Sequence, residues 1–459
     1  LILKQVQNDE FWALRQSLFY AFCKMDIIRA IIGLLVLVGI AYLLSGNRKA
    51  ISWRLVGVGV AMQVVIALLI SEVPFVKTMF DFVSRGFVSF LSFALNGAEF
   101  LYGDLAKNSD AIDGVGHSLG FLFVFQALPT VIFFSAITAG LYYLGILQKI
   151  VYVFAWIMAK TMRLSGAESM SAAGNIFLGQ TEAPLLVKPF IAGMTKSELL
   201  CLMTGGMATI AGSVLGAYVS FLGGGDPVQQ AKFATYLLSA SIMNAPAAIL
   251  MAKIFLPEEE EVNKELKVSK DQIGVNVIDA LAGGASDGLK LAANIGAMLL
   301  AFIAVIYSIN WILVDGIGAW TGLNTFVIDS TDGVFDGFSL QYILGQGFRV
   351  FAFAMGVDWS ETLQVGSLIG QKTVINEFVA YLSLAEMKEA GVLSEKAIII
   401  STYALCGFAN FSSIAIQIGG IGSLAPSRQS DLSRLGMRAL MAATLATMMT
   451  ATIAGALFG

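Results

Sequence analysis

Charge is what this sequence has least of. Asp, Glu, Lys and Arg make up 13% of its 459 residues, about half the ~25% of a soluble globular chain. Hydrophobic residues make up 57% and the mean hydropathy is +0.78, which excludes a water-soluble fold. Histidine is nearly absent. With His117 alone, a zinc site lacks ligands and a Ser-His-Asp triad lacks its base in the membrane segments. Three cysteines, Cys23, Cys201 and Cys406, lie far apart, with neither metal spacing nor a disulfide framework. No nucleophile has a base at suitable spacing, so the chain does not read as an enzyme. Residues 1–24 carry Asp9, Glu10, Arg15 and Lys24 and lack the cleavage site of a signal peptide. Residues 1–26 read as an amphipathic lead-in. Because the chain opens on Leu1, its native start is expected further upstream. The formal charge of −4 sits mostly in loops, and no nucleic-acid partner is expected.

What is present is a series of long apolar runs, at 27–44, 55–70, 119–147, 199–221 and 291–314. A helix needs roughly 20 such residues to cross a bilayer, and barrel strands would alternate polar and apolar residues instead. The fold class is therefore all-α and polytopic, with the lipid bilayer as solvent. Arg48, Lys49 and Arg54 follow the first span, and Arg428, Arg434 and Arg438 precede the last. Basic turns favour the cytoplasmic side. Asp104, Asp110 and Asp113, and Asp329, Asp332 and Asp336, then fall outside, as does the C-terminus. His117 reads as solvated in an outer loop.

Two stretches of the chain match in order. Val153-Phe154-Ala155-Trp156-Ile157-Met158 leads to Gly179-Gln180-Thr181-Glu182-Ala183-Pro184, and Val350-Phe351-Ala352-Phe353-Ala354-Met355 leads to Asn376-Glu377-Phe378-Val379-Ala380. Gly/Ser-rich apolar segments follow both, from Thr209 and from Cys406. Halves with interrupted helices at corresponding places point to a transporter site near the membrane midplane. Charge placement suggests that the repeats are inverted. We expect about eight transmembrane helices plus two re-entrant hairpins and interfacial helices. In this division residues 27–118 hold scaffold spans and an interfacial helix. A first repeat, 119–256, contains a hairpin (164–192) and a broken helix (196–224). Residues 257–287 form a cytoplasmic loop and linker. A second repeat, 288–458, contains a hairpin (359–392), a broken helix (396–424) and the last span.

Glu182 and Glu377 carry the chemistry. An ionisable group at membrane depth is by default functional, and each sits beside an amide, Gln180 or Asn376. The set suits a neutral, hydroxyl-rich or heterocyclic solute better than an anion. Lys372 is close enough in sequence to pair with Glu377. Asn175, Thr209 and carbonyls freed around Ile210 and Ala211 offer oxygen ligands to a hard cation such as sodium (Na+). Phe378, Phe408 and Phe411 could stack on a ring, or simply pack.

These motifs resemble those of the concentrative nucleoside transporters. The resemblance lies in Gly179 to Pro184, in the Gly370-x-Lys372-x-x-x-Asn376-Glu377-Phe378-Val379-Ala380-Tyr381 pattern, and in segments 208–215 and 406–414. It spans roughly 27–458 and is closest to a shorter bacterial form, which implies a multi-pass protein of the bacterial inner (plasma) membrane. It implies further that Gln180, Thr181, Glu182 and Val214 face the base, and that Glu377, Asn410 and Ser413, with Phe408 nearby, bind the ribose. Asn175, Leu178, Thr209, Ile210 and Ala211 would hold sodium as the coupling ion. The implied function is sodium-coupled symport of nucleosides such as uridine and adenosine, by elevator-like alternating access in a homotrimer. Small Gly179 would leave room for purines. Proton coupling in the same fold and a passive channel are the alternatives.

Overall fold

The computed structural model describes residues 25–107, 122–266 and 274–459. Cys23, Asp110, Asp113, His117 and nearly all of the 1–26 lead-in lie outside them. Among the described residues every regular element is helical. Eight helical stretches among them are long and apolar enough to cross a membrane: Met25–Leu43, Trp53–Glu72, Pro74–Ala106, Phe123–Tyr143, Lys196–Gly223 (interrupted), Pro227–Phe255, Val277–Thr321 and Pro426–Leu457. Exposed residues such as Phe100 and Trp320 suit a lipid surround. The apolar run 119–147 is not one helix. It ends at Tyr143, Gly145 takes a left-handed φ of 70°, and a second helix runs Ile146–Met162. Hydropathy is uniform across that turn, and only the glycine marks it.

Two helix pairs follow one plan. The first begins at Gly166–Gly174, where Ser165 and Glu168 exchange side-chain bonds with each other's backbone N–H in a capping box. It turns through residues 175–182 and returns by the short Ala183–Val187 and Lys188–Ile191 segments, each with a proline in its first turn. The second pair, Thr362–Val374 and Glu377–Glu389, is joined at Asn376, whose side chain accepts from Val379 N at 3.0 Å. An interrupted helix follows each pair. Lys196–Ala208 and Gly212–Gly223 are separated at 209–211, and Glu395–Leu405 and Phe411–Leu424 at 406–410. A continuous helix then closes each half, Pro227–Phe255 and Gln429–Leu457.

These two continuous helices pack on each other and on both interrupted ones, and Trp53–Glu72 packs on the pair. A second unit forms where Val277–Asn310 lies along Leu128–Tyr143. Gly284 and Gly288 set that spacing, because a Cβ on either would come within 2.6–2.7 Å of Ala139 or Ser135. One buried ionic cluster fixes an end of the first half. Lys253 Nζ lies 2.5 Å from Glu168 and 3.0 Å from Glu258, and donates to Ser197 Oγ at 2.9 Å. Burial disfavours the Glu258 carboxylate, but the Lys253 ammonium outweighs it and holds that carboxyl below its ordinary range. A buried cation needs such partners, since an unpaired one costs several kcal/mol.

Candidate functional site

The turns of both helix pairs meet the breaks of both interrupted helices. Gln180, in the first turn, donates to Ser413 Oγ at 3.0 Å and accepts from Gln417 Nε2 at 3.2 Å. Ser413 N donates to Asn410 Oδ1 at 2.9 Å. Asn410 Nδ2 donates to Glu377 Oε2 at 2.9 Å, and Tyr218 OH donates to Glu377 Oε1 at 3.0 Å. The sequence folds this way locally because Asn410 and Asn376 cap the helices that follow them. Capping side chains are thereby held at helix starts with their remaining groups free to reach across. The result is an unbroken polar chain from Gln180 to Tyr218. Gln180, Glu377, Asn410 and Ser413 are all buried.

Glu182 lies apart from that chain. Its Oε2 accepts from Gly179 N at 3.1 Å. The rest of the carboxylate faces a cavity of about 500 Å³, with Leu178, Thr181 and Ser213 on its side and Asp287 and Asn294 across from it. The size is within the range of small-molecule pockets. Gly179 sits close to Glu182 and Ala211, where an added Cβ would meet Ala211 Cβ at 3.3 Å. Val214 is buried one turn past the first break, and Phe408 is partly buried in the second. Phe378 instead packs against Tyr218, with ring centroids 4.9 Å apart. Phe411 is half exposed.

The residues considered for a cation cluster in the first half. Asn175 is 1% exposed, yet neither Oδ1 nor Nδ2 has a hydrogen-bond partner. Ser171 Oγ and Thr204 Oγ1 are buried and unpartnered as well. Orphaned buried polar groups cost about 1–3 kcal/mol each, so a set of them calls for an explanation. Thr209 Oγ1 donates to Gly205 O at 2.9 Å, leaving its oxygen able to accept. The Thr209 carbonyl takes Phe408 N at 3.3 Å, and Phe177 O takes Gly212 N at 3.1 Å, so the first turn and both breaks are tied together. Leu178, Ile210 and Ala211 are buried beside them. The donor set is oxygen-rich and carries no net charge, and such oxygen ligands suit a hard cation.

Lys372 does not pair with Glu377. The chain reverses at Ile375, and Lys372 Nζ donates to Ala404 O at 2.8 Å and Thr447 Oγ1 at 3.0 Å. It satisfies a carbonyl left over where the second interrupted helix ends. Sequence reasoning missed Tyr218, Gln417 and Asn244. The signal for each is a polar side chain in an apolar helix, which no spacing rule connects to the motifs.

Three family models cover most of the chain: the N-terminal part of the Na+-dependent nucleoside transporters at 32–105, a nucleoside-recognition region at 124–225, and the C-terminal part of the same transporters at 236–455. An uncharacterized transporter of Haemophilus influenzae is 45% identical over 95% of this chain and 99% of its own. The nucleoside permease NupC of Helicobacter pylori is 39% identical over 94% of this chain and 97% of its own. The solved structure of CNTnw in an inward-facing substrate-bound state matches with a TM-score of 0.84 at 42% identity, covering 95% of this chain and all of that one. Outward-facing and intermediate states of variants of that protein match equally well. These relatives are transporters and not enzymes. This chain is accordingly a multi-pass membrane protein of the concentrative nucleoside transporter family.

Proposed function

We propose that this protein imports nucleosides across the bacterial inner membrane by symport with sodium. The observation that carries the reading is the polar chain from Gln180 through Ser413 and Asn410 to Glu377, with the orphaned Asn175 beside it. Glu377 is an acceptor with lone pairs left for ribose hydroxyls, and Gln180, Thr181 and Glu182 can match a base edge. Val214 and Phe408 complete the apolar surround. Sodium takes Asn175, Thr209 and the backbone of Leu178, Ile210 and Ala211.

In this account the two helix pairs act as re-entrant hairpins whose turns reach the midplane. The core of hairpins and interrupted helices moves against a fixed unit, giving alternating access in a homotrimer. The first two spans are expected to help make a scaffold, and they face the continuous helices. Gly33 abuts Ala354 and Thr452, and Trp53–Glu72 lies on the two continuous helices. Leu128–Tyr143 with Val277–Asn310, whose glycine-spaced contact is tight, belongs to the fixed unit with those first two spans.

The test is uridine and adenosine binding to purified protein, by calorimetry, in sodium chloride and in choline chloride at two pH values. Binding tightened by sodium supports the reading. Tightening by protons alone moves the coupling to a carboxylate, and no nucleoside binding in any buffer contradicts the reading.

A further inference from the structure

Asn244 stands midway along Pro227–Phe255, is fully buried, and does not line the cavity beside Glu182. Its single amide nitrogen donates to Ala208 O at 2.8 Å and to Cys406 O at 2.7 Å. Ala208 is the last residue of the first interrupted helix before its break, and Cys406 caps the corresponding helix of the second half. Both groups are carbonyls and can only accept, so the nitrogen and not the oxygen must face them. The breaks also touch directly. Phe408 N donates to Thr209 O at 3.3 Å, and a Cβ on Gly407 would lie 2.7 Å from Ala208 O. Asn244 Oδ1 is buried without a partner, and the two N–H donors of the amide go to these two carbonyls.

We propose that Asn244 is the positioning residue that couples cation binding to nucleoside binding; this rests on the function proposed above. The planar NH2 group holds two hydrogens at a fixed angle, so the two carbonyls cannot move independently without losing a bond in a dry interior. One carbonyl directly precedes Thr209, Ile210 and Ala211. The other lies four residues before Asn410, which holds Glu377. A cation that orders the first break therefore orders the second through Asn244. By linkage a nucleoside on Glu377 tightens the cation site by the same factor.

The experiment measures uridine Kd with and without sodium for the full-length wild type and for Asn244→Ala and Asn244→Ser in detergent. Coupled sites ordinarily change each other's affinity about 5–150-fold. The expected result is a wild-type ratio in that range that falls at least about threefold in Asn244→Ala, the direct Phe408 N–Thr209 O bond carrying what remains, with Asn244→Ser intermediate because one hydroxyl serves one carbonyl. General loosening of the structure would lower both affinities and leave the ratio intact. A wild-type ratio retained in the folded variants overturns the proposal. Should Asn244→Ala not fold, the ratio in Asn244→Ser decides alone. A wild type that binds no uridine in either buffer reports instead against the nucleoside reading, which separates the two failures.

Discussion

Asn410 and Glu377 are bonded at 2.9 Å across 33 positions of sequence, which joins the break of one helix to the turn of a hairpin. Tyr218, from the other half of the chain, holds the second carboxylate oxygen. Glu377 is thus held from both halves of the chain, and in the proposed function it is in place before the solute. Such preorganisation lowers the ordering cost of binding.

Replacing Glu377 by Gln changes little in volume but forces an amide nitrogen to face one of two donors, Tyr218 OH or Asn410 Nδ2. It also removes a charged acceptor, whose bonds are worth about 1.5–3 kcal/mol each. Uptake is expected to fall by about 100-fold while the protein still purifies as a folded species. Transport assays paired with thermal melting check this, and uptake near wild type would remove Glu377 from the site.

Asn175→Ala deletes two buried atoms that have no partner in this structure. The variant should melt at or above the wild-type temperature in sodium-free buffer, because an unpaired polar group is lost and not a bond. Half-saturation by sodium should rise by about tenfold or more, as expected when a neutral amide oxygen whose bond to a charged partner is worth ~1.5 kcal/mol is removed. Uridine affinity at saturating sodium should change far less. Unchanged sodium activation would count against the cation site.

Lys372→Met keeps most of the side-chain volume and leaves Ala404 O and Thr447 Oγ1 without their donor. Thermal or denaturant unfolding should show a loss of about 1–3 kcal/mol. Because Lys372 does not pair with Glu377, adding Glu377→Gln should not restore that stability. Restoration in the double variant would revive the ion pair.

Lys253→Met strands Glu168 in a buried site, and removing one member of such a pair costs about 3–5 kcal/mol. Combined with Glu168→Gln it should recover a substantial part of that loss. Melting temperatures of the two singles and the double give the interaction directly. Strict additivity would mean that the 2.5 Å contact contributes no coupling.

Much of the fold could be read from the sequence because lipid imposes its own pattern. Apolar runs place the spans, and polar clusters such as Gly179 to Pro184 stand out against them. The interrupted helices, broken at 209–211 and 406–410, are marked in the sequence by the Gly/Ser-rich apolar segments that run from Thr209 and from Cys406. Long-range partners were not. Lys372 and Glu377 are five residues apart, yet the reversal at Ile375 sends them to different neighbours. Tyr218 sits 159 positions from Glu377, and Asn244 reaches two carbonyls that no local pattern marks. The single apolar run at 119–147 hid the turn at Gly145, since hydropathy does not register backbone handedness.

The central claim is concentrative nucleoside uptake driven by a cation, and proteoliposomes test it most directly. Radiolabelled uridine and adenosine are followed with an inward sodium gradient, an inward proton gradient, or neither. The account predicts accumulation above the external concentration with sodium alone and collapse when the gradient is dissipated. Equilibration without accumulation would indicate a passive channel, and no nucleoside entry under any gradient would contradict the account.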